Sequence, residues 1–408
     1  MAKNVPEGIT PATRLVTAGR RADWTGTPAE PGAVVNPPVW RASTHLYPDS
    51  KALHAGKPNA DGPFYYGRRG SPTQWALADA LTALEPGAAG TVLYPSGVAA
   101  LAGALLAVLR PGDVLLMTDN AYEPTRNMGR GLLGDFGIET RWFDPLDPAS
   151  FEAAIDDRCK AVLLESPGSL TLEVCDVPAL AAIAHAKGLA VVLDNTWAGP
   201  LGFPALERGA DITVMSLTKH VGGHSDLMLG SAAASEKYYA KLRRTAQALG
   251  QVVSPDDSSL ALRGLRTMGL RLKQETSSAL ELSKWLDSRA EVAKVLCPML
   301  PGSPGHEIWS RDFSGGCGLF SFVFKGKDGA ARDAFIDALT LFGIGYSWGG
   351  FESLVTPIDP ATLRTATQWP LPGMDGADRY GVRLSIGLEG LDDLRADLER
   401  GLAAWAAA

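Results

Sequence analysis

From residue 74 onward, short apolar runs alternate with helical stretches, and this alternation constrains the fold more than any other feature of the chain. The runs at 91–94, 113–118, 140–143, 161–164, 189–193 and 212–215 read as strands. Helical patterns fall among them at 75–84, from 97 to about 109, at 148–157 and at 177–187. Strands alternating with helices imply an α/β fold built on a mainly parallel sheet covered on both faces.

Ligands of such sheets sit outside the carboxyl ends of the strands. The run 189–193 delivers Asp194 to that edge, and the run 212–215 leads into Ser216, Thr218 and Lys219. A lysine among small hydroxyl residues can form an imine with an aldehyde. An aspartate one strand away can keep a pyridine nitrogen protonated. This is the pair that pyridoxal 5′-phosphate (PLP) asks of a protein. Taken singly, each residue has a plainer reading, as a turn former and as a solvated lysine. Together, with the glycine-rich stretch that follows, they point to PLP.

Other residues fit that chemistry without deciding it. Ser96-Gly97 follows a strand and opens a helix, whose free N–H groups and positive dipole end favour a phosphate. Ser216 and Thr218 add hydroxyl donors, and Arg68 a forked cation. Tyr122 lies just past the strand DVLLMT, where an aromatic ring can stack on a flat cofactor or cap the core. Arg383 alternates with apolar residues in VRLSIGLE. A buried arginine needs an anion, either a protein carboxylate or a substrate's.

Residues 1–62 are rich in Pro, Gly and Ala and lack sustained periodicity, so they read as an extended arm. Long helical patterns at about 235–248 and 264–288 precede shorter strands at 319–324, 345–348 and 382–386 and a closing helix at 391–405. The expected division is an arm and inter-subunit loop over 1–69, a PLP-binding domain over 70–264 and a smaller C-terminal α/β domain over 265–408.

A net charge of -7 gives no reason to expect nucleic acid or an anionic membrane as partner. No apolar run reaches membrane-spanning length, and the first 15 residues lack an apolar signal core. Four cysteines without C-x-x-C spacing suggest reduced thiols in the cytoplasm. There is no G-x-x-x-x-G-K-[ST] and no G-x-S-x-G, and Gly343-x-Gly345 lacks the third glycine of a dinucleotide site. His220 and His224 are four apart, but Gly222-Gly223 between them argues against a metal-presenting helix, and no metal is expected.

Specific segments run the length of the chain: TRLVTAGR, FYYGRRG, TDNAYEPT, FDPL, LLESPGS, DNTWA, SLTKHVGGHSD, RGLRTMGLRL, YSWGGFESL and RLSIGLEGLDDLRADL. On these the chain resembles the Cys/Met-metabolism family of PLP enzymes, which have the aspartate-aminotransferase-like fold (fold type I), and within it the β-lyases. The resemblance implies that Lys219 carries PLP, Asp194 pairs with the ring nitrogen, and Tyr122 stacks on the ring and assists proton movements. Gly97 and Val98 N–H groups, with Ser216 and Thr218, would hold the phosphate. Tyr66 and Arg68 would reach the phosphate of a neighbouring subunit, making a homo-oligomer, expected as a tetramer, with shared sites. Arg383 would bind the substrate α-carboxylate with Ser347 and Trp348 nearby, and Arg69 the distal end.

The implied reaction is β-elimination of L-cystathionine to homocysteine, pyruvate and ammonia, a transsulfuration step in methionine biosynthesis. Desulfhydration of cysteine or cystine, Cγ cleavage, and a PLP-binding regulatory role are the alternatives. One departure stands out: Ser169 occupies the position where many members carry an Asn that bonds the ring hydroxyl.

Overall fold

The computed structural model describes residues 8–26, 32–56, 64–371 and 374–408. Residues 1–7, 27–31 and 57–63 of the expected arm, and 372–373, lie outside these. In chain order the strands are β1 (Gly90–Tyr94), β2 (Val114–Thr118), β3 (Glu139–Phe143), β4 (Cys159–Glu165), β5 (Ala190–Asp194), β6 (Ile212–Ser216) and β7 (Gly230–Ala234). They continue with β8 (Val292–Leu296), β9 (Leu319–Phe324), β10 (Gly343–Ile344), β11 (Leu354–Ile358) and β12 (Gly381–Ser385). Two compact units share them: Met1–Ala107 with Asp211–Gly269, and Val108–Ala210 with Leu270–Ala408.

In the first unit β7 pairs antiparallel with both β1 and β6, placing Gly230 opposite Tyr94 on one side and Ser216 on the other. Sequence reading missed β7, because GSAAA has neither β-branched residues nor alternation. It is a strand because neighbours flank it on both sides, and all five of its residues are buried. The expected arm carries three short helices, Pro11–Thr17, Ala22–Thr25 and Ser50–Ala55. Arg266 caps the first of them, donating to Leu15 and Ala18 carbonyls at 2.6 and 2.9 Å.

In the second unit β5, β4, β2 and β3 pair in parallel. VLLMT and AVVLD are apolar nearly throughout because helices cover both faces of such a sheet. The edge strand β3 is half-exposed and charged, with Arg141 bridging Glu139 and Asp156 at 2.6 and 2.9 Å. A second sheet orders its strands β10-β11-β12-β9-β8. The closing helix Leu391–Ala407 buries Leu394, Leu398, Leu402 and Trp405 on one stripe, and Phe335 packs against Gly401, where a Cβ would meet its ring at 2.8 Å.

Two expectations need correction. The long helix is Pro255–Asp287, starting nine residues before the expected 264. Ser254 Oγ accepts the Asp256 N–H at 3.1 Å, Pro255 occupies the first turn, and two aspartates follow. The expected strand at 345–348 is a loop, since β10 ends at Ile344 and Ser347 has φ 101°. An unexpected helix, Glu123–Arg130, follows β2.

Before that helix stands Asp119, whose carboxylate accepts N–H groups of Thr365, Ala366 and Thr367 at 2.8–3.0 Å and pairs with buried Arg126 at 2.9 Å. Burial pushes its carboxyl up, but the donors from Thr365, Thr367 and Arg126 hold it below its ordinary value. We predict that Asp119→Ala, which strands the Arg126 charge, costs about 3–5 kcal/mol of stability, read from denaturant unfolding. The Asp119 contribution is complete above about pH 4, the carboxyl's unfolded pKa, and fades as pH falls through the lower folded value. The variant should therefore lose less additional stability in acid than the parent.

Candidate active site

Parallel pairing places Glu165 of β4 opposite Asp194 of β5 at the strand ends. Asp194 Oδ1 accepts from the Thr196 N–H at 3.0 Å and from its hydroxyl at 2.5 Å. The turn after β2 brings Tyr122, which is 40% exposed and whose N–H donates to Glu165 Oε2 at 2.6 Å. Burial raises the Tyr122 phenol; Arg383 opposes the rise, while Glu165, Asp194 and Glu123 add to it.

Arg383 lies in the middle of β12, opposite Thr356 and Ser321, and is 8% exposed. Burial lowers its pKa, with Tyr122, Glu165 and Tyr346 acting the other way. Among the described residues no carboxylate forms an ion pair with it. The loop with Ser347 and Trp348 docks on the same strand, Gly349 N–H donating to Ser385 Oγ at 3.2 Å. The second unit thus gathers Asp194, Tyr122 and Arg383 in one electrostatic neighbourhood.

The first unit gathers a second set. Ser96 Oγ accepts the Ala99 N–H at 3.1 Å at the start of the helix Gly97–Val108. A Cβ on Gly97 would stand 2.8 Å from Ser216 Cβ and 3.0 Å from its Oγ. One on Gly230 would meet the Ser96 carbonyl at 2.2 Å. Two glycines therefore let the helix start close onto the end of β6. Lys219 sits in the tight turn beyond, its N–H donating to the Ser216 carbonyl at 3.1 Å and its carbonyl accepting from Gly223 at 2.8 Å. The Thr218 hydroxyl is engaged with Leu229, donating to its carbonyl at 3.2 Å and accepting its N–H at 3.1 Å.

Tyr66 and Arg68 are exposed, and Arg68 donates to the Gln247 carbonyl at 3.0 Å. Burial, then the charges of Arg68 and Arg243, lower Arg69. Both arginines line a cavity of about 350 Å³ with Trp24, Trp75 and Tyr239. That cavity does not include Gly97, Ser216 or Lys219.

Comparison with known proteins places this geometry. A family model described as Cys/Met metabolism PLP-dependent enzyme matches residues 12–403. The chain belongs to this family. It is 42% identical over 395 residues to the cystathionine beta-lyase of Escherichia coli, covering 96% of this chain and 98% of that one. It is 43% identical over 380 residues to a putative cystathionine beta-lyase of Rhizobium johnstonii, covering 91% and 92%. The solved structure of cystathionine gamma synthase from Xanthomonas oryzae pv. oryzae with aminoacrylate and cysteine superposes with a TM-score of 0.87 at 33% identity, covering 99% and 100%. The fold is that of the family's fold-type I enzymes, and PLP is its cofactor.

The residues present fit that cofactor. The first N–H groups of a helix have no carbonyl partner within the helix, and at Gly97 they stand bare of side chain beside the Ser216 hydroxyl, a cradle suited to a phosphate. Ser169 has its N–H on the Asn120 carbonyl at 2.9 Å. A Cβ on Gly168 would overlap Asn120 Nδ2 at 2.1 Å, so the Asn120 side chain fills the space beside that segment. Sequence reading passed over Glu165, although an acid closing LLE beside the strand that ends in Asp194 was the available signal. We predict that Gly97→Ala pushes Ser216 away and weakens PLP retention by about ten-fold or more, the scale of a lost charge-assisted hydrogen bond. Equilibrium titration of the apoprotein with PLP measures it.

Proposed function

We propose that the chain is a carbon–sulfur lyase that cleaves L-cystathionine at Cβ, releasing homocysteine, pyruvate and ammonia. Arg383 carries the reading: a buried guanidinium that no carboxylate of the described residues pairs with suits the α-carboxylate of an amino-acid substrate. The similarity to enzymes named cystathionine beta-lyase supports the substrate.

Bound PLP supplies an electron sink for the pair left when the α-proton departs. Arg383 fixes the substrate by its carboxylate, with Ser347 and Trp348 on the loop docked to the same strand. Lys219 takes the α-proton and returns it to the departing sulfur, with Tyr122 as the alternative donor. Lysine with its ordinary pKa of about 10.4 is charged at neutral pH, so this role requires the amine's pKa to be lowered by its surroundings. Asp194 keeps the ring nitrogen protonated, and the Thr196 donors favour its ionised form. Gly97, Val98 and Ser216 hold the phosphate. Thr218 joins them only by giving up its bond to the Leu229 carbonyl. Arg69 is assigned to the distal end of the thioether.

The enzyme is read as an arm and inter-subunit loop over 1–69, a PLP-binding domain over 70–264 and a C-terminal domain over 265–408. It is placed in the cytoplasm, which suits four free, buried cysteines. No helix among the described residues is long and apolar enough to cross a membrane. Exposed Tyr66 and Arg68 are assigned to the phosphate of a neighbouring subunit in a homotetramer.

Two experiments test the reading. Pure enzyme with cystathionine should yield pyruvate, and Arg383→Ala should raise KM for every amino-acid substrate while the cofactor spectrum stays unchanged. Production of 2-oxobutyrate would mean Cγ cleavage and sink it. For the shared site, Lys219→Ala and a Tyr66→Phe/Arg68→Ala double variant should complement when unfolded and refolded together. Random pairing makes half the dimers mixed with half their sites intact, restoring about a quarter of all sites. Activity no higher than that of the separate variants removes the subunit exchange.

A further inference from the structure

We propose that Glu165 is a positioning residue of this site: its carboxyl group holds the backbone of Tyr122 against the strand end that carries Asp194. The inference rests on the roles proposed above for Asp194 and Tyr122. Glu165 closes β4 and stands opposite Asp194 in register. Its Oε2 accepts the Tyr122 N–H at 2.6 Å, and its own N–H reaches Thr118 Oγ1, at the end of β2, at 3.3 Å. Glu165 thus meets the end of β2 through its main chain, the end of β5 through its register, and the Tyr122 turn through its side chain.

The charged and titratable groups facing it are Asp194 from β5, Tyr122 from the turn after β2, and Arg383 from β12. Two carboxylates side by side on parallel strands repel, so one of them keeps its proton. Burial of the carboxyl group, then the charge of Asp194, hold Glu165 well above the usual carboxylate range; the Tyr122 N–H and Arg383 oppose this. Asp194 instead receives two donors from Thr196, which favour its charged form. Of the two, Glu165 is the one whose surroundings favour keeping the proton.

A neutral acid still offers Tyr122 a carbonyl oxygen. It also leaves the charge of the pair to Asp194, which is what a protonated ring nitrogen pairs with. An ionised Glu165 would add a second negative charge and compete for Arg383. Glutamine reproduces the neutral acceptor at full length, aspartate falls one methylene short of the Tyr122 N–H, and alanine removes the acceptor.

The test compares Glu165→Gln, Glu165→Asp and Glu165→Ala as holoenzymes. The readouts are kcat, KM for cystathionine, and the pH midpoint of the bound cofactor's visible band. The Ala and Asp variants should lose about ten-fold in kcat, the size of one lost hydrogen bond in a buried site, with little change in KM and a displaced midpoint. The Gln variant should recover most of both. The proposal is overturned if Gln is as impaired as Ala, which would mean that the carboxylate charge is needed. It is equally overturned if all three keep parental kcat and spectrum. Should the Ala variant not fold, Gln against Asp decides by the same criteria. Failure of the underlying reading appears separately, as undiminished turnover in Asp194→Ala whatever the Glu165 variants do.

Discussion

Parallel pairing is the constraint on which the second unit's part of the site depends. Strands that run the same way end on the same edge, and their register sets which residues meet there. Phe143 stands opposite Thr118, and Asp194 opposite Glu165. The interior of each strand must be apolar because both faces are covered, so polar chemistry can begin only at the last residue or in the loop beyond. VLLMT hands over to Asp119, Asn120 and Tyr122; AVVLD hands over to Asn195, Thr196 and Trp197. Opposing carboxyls follow from this packing, and the donors from Thr196 and Tyr122, with the nearby charge of Arg383, are what make them tolerable.

The first unit reaches a comparable result with antiparallel strands. Gly230 serves two neighbours at once, and a side chain there would collide with the Ser96 carbonyl. The close approach of the helix start at Gly97 to Ser216 depends on that empty space. Lys219 enters its turn three residues past Ser216 with its carbonyl already engaged by Gly223, so the lysine's backbone direction is set before any ligand arrives.

Much of this was legible in the chain. The runs that became β1 to β6 are strongly apolar and bounded by turn residues, and Asp194, Ser216 and Lys219 follow from where two of them end. What was missed has physical reasons. GSAAA carries no strand preference of its own and is a strand through its neighbours. Glu165 reads as an ordinary surface acid until the register sets Asp194 beside it. Asp119 gathers its donors from Thr365 to Thr367, some 246 residues along the chain, a contact that no local pattern announces. The start of the helix at Pro255 was signalled by Ser254, Pro255 and two aspartates, but its polar first turns hid the periodicity.

The turn bearing Tyr122 has one more consequence. Its N–H is held by Glu165, and its carbonyl accepts from Thr125 and Arg126 at 2.9 and 3.0 Å. Both sides of the residue are pinned through the main chain, and the phenol itself bears none of that load. The position is a socket: its backbone is specified by surrounding residues, while the occupant is free to differ. Rotation about the side-chain bonds is the motion left to the ring, so reach and timing at this point belong to a pivot rather than to a moving loop. A lineage altering its chemistry could exchange this one side chain and leave the scaffold undisturbed.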